Sequence, residues 1–190
     1  MTKPWELISR ERKGLAGRRA VVEKTFRLPD GRQAAFMVTG DSASRAVACI
    51  AVTARQTVVI AEQYRPGPER IMAELPGGGV DPGESLADGA ARELAEETGY
   101  VPEKLTYLGE MCYDAYVGIA RHYFLATGCE LRGEQELDPN EFVTVREATF
   151  ADLVTRAMTA GMTDPGGVLL ALPYLMGDPD VRELFKADRD

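Results

Sequence analysis

Only one histidine, His122, stands among the 190 residues, so no metal centre built on several imidazoles is available to this chain. Cysteine is almost as scarce. Cys49, Cys112 and Cys129 are odd in number and lack the paired spacing of a metal knuckle, so they read as buried cytosolic thiols. No apolar run reaches the roughly eighteen residues of a membrane span, and the opening MTKPWELISRERKG carries no apolar signal-peptide core. Positive charge is in deficit: 22 Lys and Arg stand against 30 Asp and Glu, a net charge of −8 with no basic stripe, which argues against a nucleic-acid backbone as partner. No internal repeat or low-complexity tract is found. The expectation is a cytoplasmic chain without membrane or nucleic-acid partners, the size of one domain with a small appendage.

What is there is a succession of β-branched runs. Residues 19–27 and 33–39 read as strands around the turn signal Pro29-Asp30-Gly31-Arg32. Residues 46–53 and 57–64 read as a second hairpin. A Pro- and Gly-rich segment follows at 65–69, and further strands are expected at 104–112, 121–129 and 141–146. Ser85 with Asp88 three residues on is a capping pattern that opens a helix. Leu86, Ala90 and Leu94 give that helix a buried stripe, and Gly99 is placed to end it. Helices are expected at 147–160, from Pro165 with Asp164 as its cap, and from Asp178 to the end. Strands first, one helix among them and helices last describe a mixed α and β fold rather than a βαβ repeat.

The stretch LPGGGVDPGESLADGAARELAEETGY, residues 75–100, poses a physical problem. Glu93 and Glu97 share a helix face and Glu96 borders it, although like charges at that spacing repel. The acidic patch lies beside the buried stripe rather than opposite it, and only Arg92 is near in sequence to neutralise it. A bound cation would fit, and hard cations such as Mg²⁺ take carboxylate oxygens and bridge to phosphates. The glycines before the helix allow backbone groups to approach a ligand.

The full pattern is Gly78, five residues, Glu84, seven residues, Arg92-Glu93-Leu94, one residue, Glu96-Glu97, one residue, Gly99, then Tyr100. It resembles the Nudix box of the Nudix hydrolases, with Tyr100 where that pattern prefers an aliphatic residue. A chance match to its fixed letters is on the order of 10⁻⁸ to 10⁻⁹ per window. The resemblance implies an α+β fold, an α/β/α sandwich with a mixed sheet, and cleavage of a diphosphate joined to another moiety with Mg²⁺ or Mn²⁺. It implies Glu93, Glu96 and Glu97 as metal ligands, with the carbonyl of Gly77 as a further one. Glu93 and Glu97 would be central to catalysis. Glu84 and Arg92 would tie the loop to the helix, with Gly78 and Gly99 as structural members of the motif.

The preceding segment, AEQYRPGPERIMAELPGG, resembles the branch of ADP-ribose and nucleoside diphosphate sugar pyrophosphatases, as do LPDG, EFVTV and AGMTDPGG. That branch implies a homodimer that exchanges its N-terminal hairpin, so residues 1–42 would be a β-rich dimerisation segment and 43–190 the hydrolase domain. Arg65 would hold a phosphate. Trp5 would stack on a base, or else serve as a core or dimer-contact ring. A glutamate before the late strand would be the catalytic base: Glu141 fits, with Glu134 and Glu136 as rivals. One departure is that residues 112–118 lack the branch's proline, and Tyr116 there resembles dinucleoside polyphosphate hydrolases. The reading is metal-dependent hydrolysis of a nucleoside diphosphate sugar, ADP-ribose foremost, to AMP and ribose 5-phosphate. The alternatives are a dinucleoside polyphosphate hydrolase and a Nudix-fold sensor that does not cut its ligand.

Overall fold

The two hairpins read from the sequence go to two different sheets. The computed structural model describes residues 3–14, 20–40 and 44–185, and these divide into two units. The first comprises residues 1–45 with 112–121, and the second 46–111 with 122–190.

In the first unit β1 (Glu6–Gly14), β2 (Val21–Arg27) and β3 (Gln33–Thr39) form an antiparallel sheet in that order. The β2–β3 turn is the expected one: Gly31 adopts φ 87°, and the Asp30 carboxylate accepts from the amide and guanidinium of Arg32. β1 was not anticipated, and all nine of its residues are exposed. It is built on pairing rather than burial, so no apolar period announces it. Its charges are matched across the strands, with Arg27 on Glu6 and Lys13 between Glu11 and Glu23. Residues 112–121 join this unit through backbone bonds from Thr39 N–H to the Tyr116 carbonyl and from Gly118 N–H to that of Thr39.

The second unit is an α+β fold on a mixed sheet. Its strands are β4 (Ala46–Thr53), β5 (Val58–Arg65), β6 (Arg70–Glu74), β7 (Tyr100–Val101), β8 (Lys104–Cys112), β9 (Ala120–Leu131) and β10 (Thr144–Ala148). The order is β10-β5-β4-β9-β7, with β6 also pairing β5 and β8 pairing β9. The helices are α1 (Leu86–Thr98), α2 (Phe150–Met158), α3 (Pro165–Leu175) and α4 (Pro179–Leu184).

β4 shows why the sequence AVACIAVT is apolar at every position: both faces are covered. Val47, Cys49 and Ala51 pack with Ala90 and Leu94 of α1. Ala48, Ile50 and Val52 pack on the other side with residues of α2, α3 and α4, including Leu153, Val168 and Val181. The sandwich follows from that alternation. Cys49 and Cys129 are buried as expected, but Cys112 is exposed, since it ends β8 where that strand leaves the core. The late strand begins at Thr144 rather than 141, because residues 138–141 close a turn. No described helix is long and apolar enough to cross a membrane.

Candidate active site

The site is assembled on α1 and the loop before it. Ser85 accepts the Asp88 amide and starts the helix. Gly99, at φ 74°, ends it with its N–H on the Ala95 carbonyl. A side chain at Gly99 would be strained in that conformation and would also press on the Gly133 carbonyl. Between these caps, Ala90 and Leu94 fix the rotation of the helix against β4, which turns Glu93 and Glu97 towards the loop 76–79.

That loop pairs with the first half of β4. Val47 N–H donates to the Gly78 carbonyl at 2.9 Å and Cys49 N–H to the Pro76 carbonyl at 2.8 Å. Among the described residues no backbone N–H outside the regular strands and helices meets the Gly77 carbonyl between them. Gly77 is required by its contact with the β4 backbone, and Gly78 leaves room for the Glu93 carboxylate. A Cβ on Gly77 would lie 2.2 Å from the Val47 carbonyl oxygen, and one on Gly78 would lie 2.3 Å from the Glu93 carboxylate.

Arg92 is the hub. Its Nε and Nη2 fork onto Glu84 at 2.9 and 3.1 Å, and Nη2 also donates to the Gly79 carbonyl at 2.8 Å. Nη1 reaches Glu96 at 2.8 Å and Glu93 at 3.2 Å. Glu84 in turn accepts the Asp81 amide. Loop and helix are thereby joined by one planar cation, a task that suits a guanidinium. Three carboxylates around it hold its charge in place, with Glu84 the strongest partner.

Among the described residues no cationic side chain meets Glu97. Its carboxylate is 7% exposed and accepts only the Gly77 amide, at 2.8 Å, among the contacts resolved. Burial pushes its pKa up to about 8; the Gly77 bond opposes that, and the charges of Glu93, Glu141 and Glu74 add to it. Three further carboxylates thus act on Glu97. Among the described residues no three His, Cys, Asp or Glu side chains are already gathered as a metal cage. Glu93 and Glu96 are turned to Arg92, and Glu97 to Gly77.

The remaining residues singled out from the sequence fall in separate places. Arg65 forks onto the buried Glu74 through Nε and Nη2. Glu141 accepts the Asp138 amide within its own turn, at 3.1 Å. Glu134 and Glu136 are exposed. In the first unit Trp5 stacks 5.3 Å from Phe36 and meets Phe26 edge-on at 5.9 Å, while Tyr116 lies 6.4 Å from Phe36. These rings, with Lys24, line a cavity of about 320 Å³.

Two residues were not anticipated. Glu74 adds its charge to the field on Glu97; a carboxylate closing the apolar strand IMAE was the available signal. Gln135 donates to the Glu97 carbonyl at 2.7 Å and to that of Val143 at 3.3 Å. Nothing local in the sequence marks it, since both partners are distant.

A fold with α1 and its glycine loop built in this way defines a class. The NUDIX domain model matches residues 43–166, and the chain belongs to that family. Over 111 residues it is 40% identical to the ADP-ribose pyrophosphatase of Bacillus subtilis (strain 168), covering 56% of this chain and 59% of that protein. It is 37% identical over 134 residues to the methanol dehydrogenase activator of Bacillus methanolicus, covering 68% and 71%. A solved structure of an ADP compounds hydrolase superimposes with a TM-score of 0.75 at 18% identity, covering 95% of this chain and 99% of that one, which is a likeness of fold. The match to the B. subtilis enzyme spans less than two thirds of its length.

Proposed function

We propose that this chain hydrolyses the diphosphate bond of a nucleoside diphosphate sugar, ADP-ribose foremost, giving AMP and ribose 5-phosphate. The substrate rests on the likeness to the ADP-ribose pyrophosphatase of Bacillus subtilis; the observation that carries the metal-dependent part of the reading is the buried Glu97 carboxylate on the Gly77 amide, which meets no cationic side chain among the described residues. Such a group is at rest only when protonated or when a cation joins it. The donor set is all oxygen and suits Mg²⁺ or Mn²⁺. Glu93, Glu96, Glu97 and the Gly77 carbonyl would hold the metal, which would neutralise diphosphate oxygens and acidify a water.

The chain's own groups do the rest. Glu141 takes the proton from the attacking water, whose oxygen bonds to one phosphorus while the other phosphate leaves with the bridging oxygen. Arg65, oriented by Glu74, donates to a non-bridging phosphate oxygen. Arg92 keeps Glu84 and the Gly79 carbonyl in register with α1, so the carboxylates meet the substrate in a set geometry, and positioning of this kind is most of phosphoryl-transfer catalysis. The aromatic cavity of the first unit suits a planar base, with Trp5 as the stacking ring. Among the described residues β1 is the terminal strand of its sheet, paired to β2 on one side, and this supports a homodimer formed through this segment. A cytoplasmic location agrees with the free thiols.

The test is a substrate panel with Mg²⁺ or Mn²⁺: ADP-ribose, GDP-mannose and diadenosine polyphosphates, with products resolved by chromatography. AMP and ribose 5-phosphate from ADP-ribose are expected. A diadenosine polyphosphate preferred tenfold over every sugar, about 1.4 kcal/mol in the transition state, would replace the reading with the one suggested by Tyr116. Tight binding without turnover of any compound would make the protein a sensor. In an active enzyme Glu97→Gln should lower kcat by ~10²–10³-fold, as loss of one electrostatic element does.

A further inference from the structure

A helix leaves its last carbonyls without partners inside the helix. In α1 two of these belong to Glu96 and Glu97, and both are met by one distant loop. Glu136 N–H donates to the Glu96 carbonyl at 2.8 Å, and Gln135 Nε2 donates to the Glu97 carbonyl at 2.7 Å. Arg132 and Gly133 N–H both reach the Gly99 carbonyl, at 2.9 and 3.2 Å, so the loop enters along the same helix end. The Gln135 amide has two hydrogens. The second goes to the Val143 carbonyl at 3.3 Å, just before β10. One side chain therefore joins the start of the segment 136–142, its end, and the helix turn that carries Glu96 and Glu97. Glu141 lies inside that segment, its backbone N–H on the Asp138 carbonyl at 2.9 Å and its carboxylate on the Asp138 amide. It is also near enough for its charge to act on Glu97.

We infer that Gln135 is a positioning residue: its amide fastens the loop 134–142 to the last turn of α1 and so sets the distance from Glu141 to the carboxylates of that helix. The inference rests on the reading of Glu141 as the base. It explains why the amide matters as a donor. A glutamate at 135 has the same length but offers no hydrogen to either carbonyl, and a methionine has similar reach with neither hydrogen nor charge.

The experiment combines amide hydrogen exchange with a double-mutant cycle in the full-length protein. Gln135→Met should speed exchange at the Glu136, Asp138 and Glu141 amides while leaving the β4 amides unchanged. It should lower kcat about tenfold, the scale of one or two lost hydrogen bonds, with KM within about twofold, and Gln135→Glu should behave alike. Glu141→Gln should be strongly impaired on its own, and adding Gln135→Met to it should cost less than a further twofold, because the first change has removed what the second displaces. Unchanged exchange in Gln135→Met overturns the fastening. Multiplicative losses in the double variant, with Glu141→Gln itself impaired, overturn action through Glu141 while leaving Glu141 as base. A Glu141→Gln enzyme at the wild-type rate removes the base reading, and the inference fails with it.

Discussion

Replacing Glu97 by glutamine should change how stability depends on pH, and the sign follows from the site. In the folded protein burial holds the Glu97 carboxyl up to about 8, against 4.5 for a solvated glutamate. The native state thus keeps a proton that the unfolded chain has released between those values, and stability falls as pH rises through that window. Below about 4.5 both states are protonated and nothing is lost; above about 8 the loss is complete. The part between pH 6 and pH 8 is about 2 kcal/mol at 1.36 kcal/mol per unit, less the half-titration at the upper end. The working figure is about 1–2 kcal/mol. Glutamine keeps an oxygen for the Gly77 amide and never ionises. In EDTA, therefore, Glu97→Gln should gain on the wild type by about 2–8 °C in Tm between pH 6 and pH 8, at about 2–4 °C per kcal/mol for a chain of this size. Adding Mg²⁺ should narrow the gap, because the cation stabilises the ionised wild-type site and not the amide. Calorimetry or thermal denaturation of both proteins at half-unit pH intervals would read it. Parallel curves from pH 5 to pH 9 would refute the account of Glu97 as a buried group without a cation.

Gly78→Ala should keep its far-UV circular dichroism but lose at least ~10-fold in kcat, since the new methyl group occupies the place of the Glu93 carboxylate; wild-type turnover would show that Glu93 can move without consequence. Trp5→Ala should raise KM for ADP-ribose by about tenfold with kcat little changed, the value of one lost stacking ring, and equal KM values would take the base elsewhere. Ile8→Asp, at an exposed position of the β1 edge, should turn a dimer into a monomer by light scattering; a wild-type protein that is already monomeric would end the dimer reading. Arg92→Lys should cost about 1–3 kcal/mol in denaturant titrations, because an ammonium cannot meet Glu84 in a fork and also hold the Gly79 carbonyl.

The elements that bury a face could be read from the sequence. β2 to β5 carry β-branched runs between turn residues, and α1 has its cap, stripe and terminal glycine in order. What was missed is held by pairing or by distance. β1 is exposed along its length and exists through its bonds to β2. β6 has five residues after a Pro- and Gly-rich turn, too short for any period to declare itself. EFVTV reads as a strand by alternation, yet Phe142 is 82% exposed, because the turn from Asp138 to Glu141 takes those residues out of the sheet. In the site, the spacing of Glu84, Arg92, Glu93, Glu96 and Glu97 placed them on one helix and its loop. The bond from Gln135 to Glu97 spans 38 residues, and no local pattern encodes a contact that the folded sheet creates.

The pairing of the glycine loop with β4 has a consequence for how this site can be watched. Val47 and Cys49 are fully buried strand residues whose amide protons are held by the carbonyls of Gly78 and Pro76. Their exchange with solvent therefore reports whether the loop is seated. If the loop detached alone, these two protons would exchange faster than those of the neighbouring strands; if it leaves only when the sheet melts, they would be among the slowest in the molecule. Two protons in the hydrophobic interior thus serve as a gauge of the glycine loop, readable without substrate, metal or any turnover.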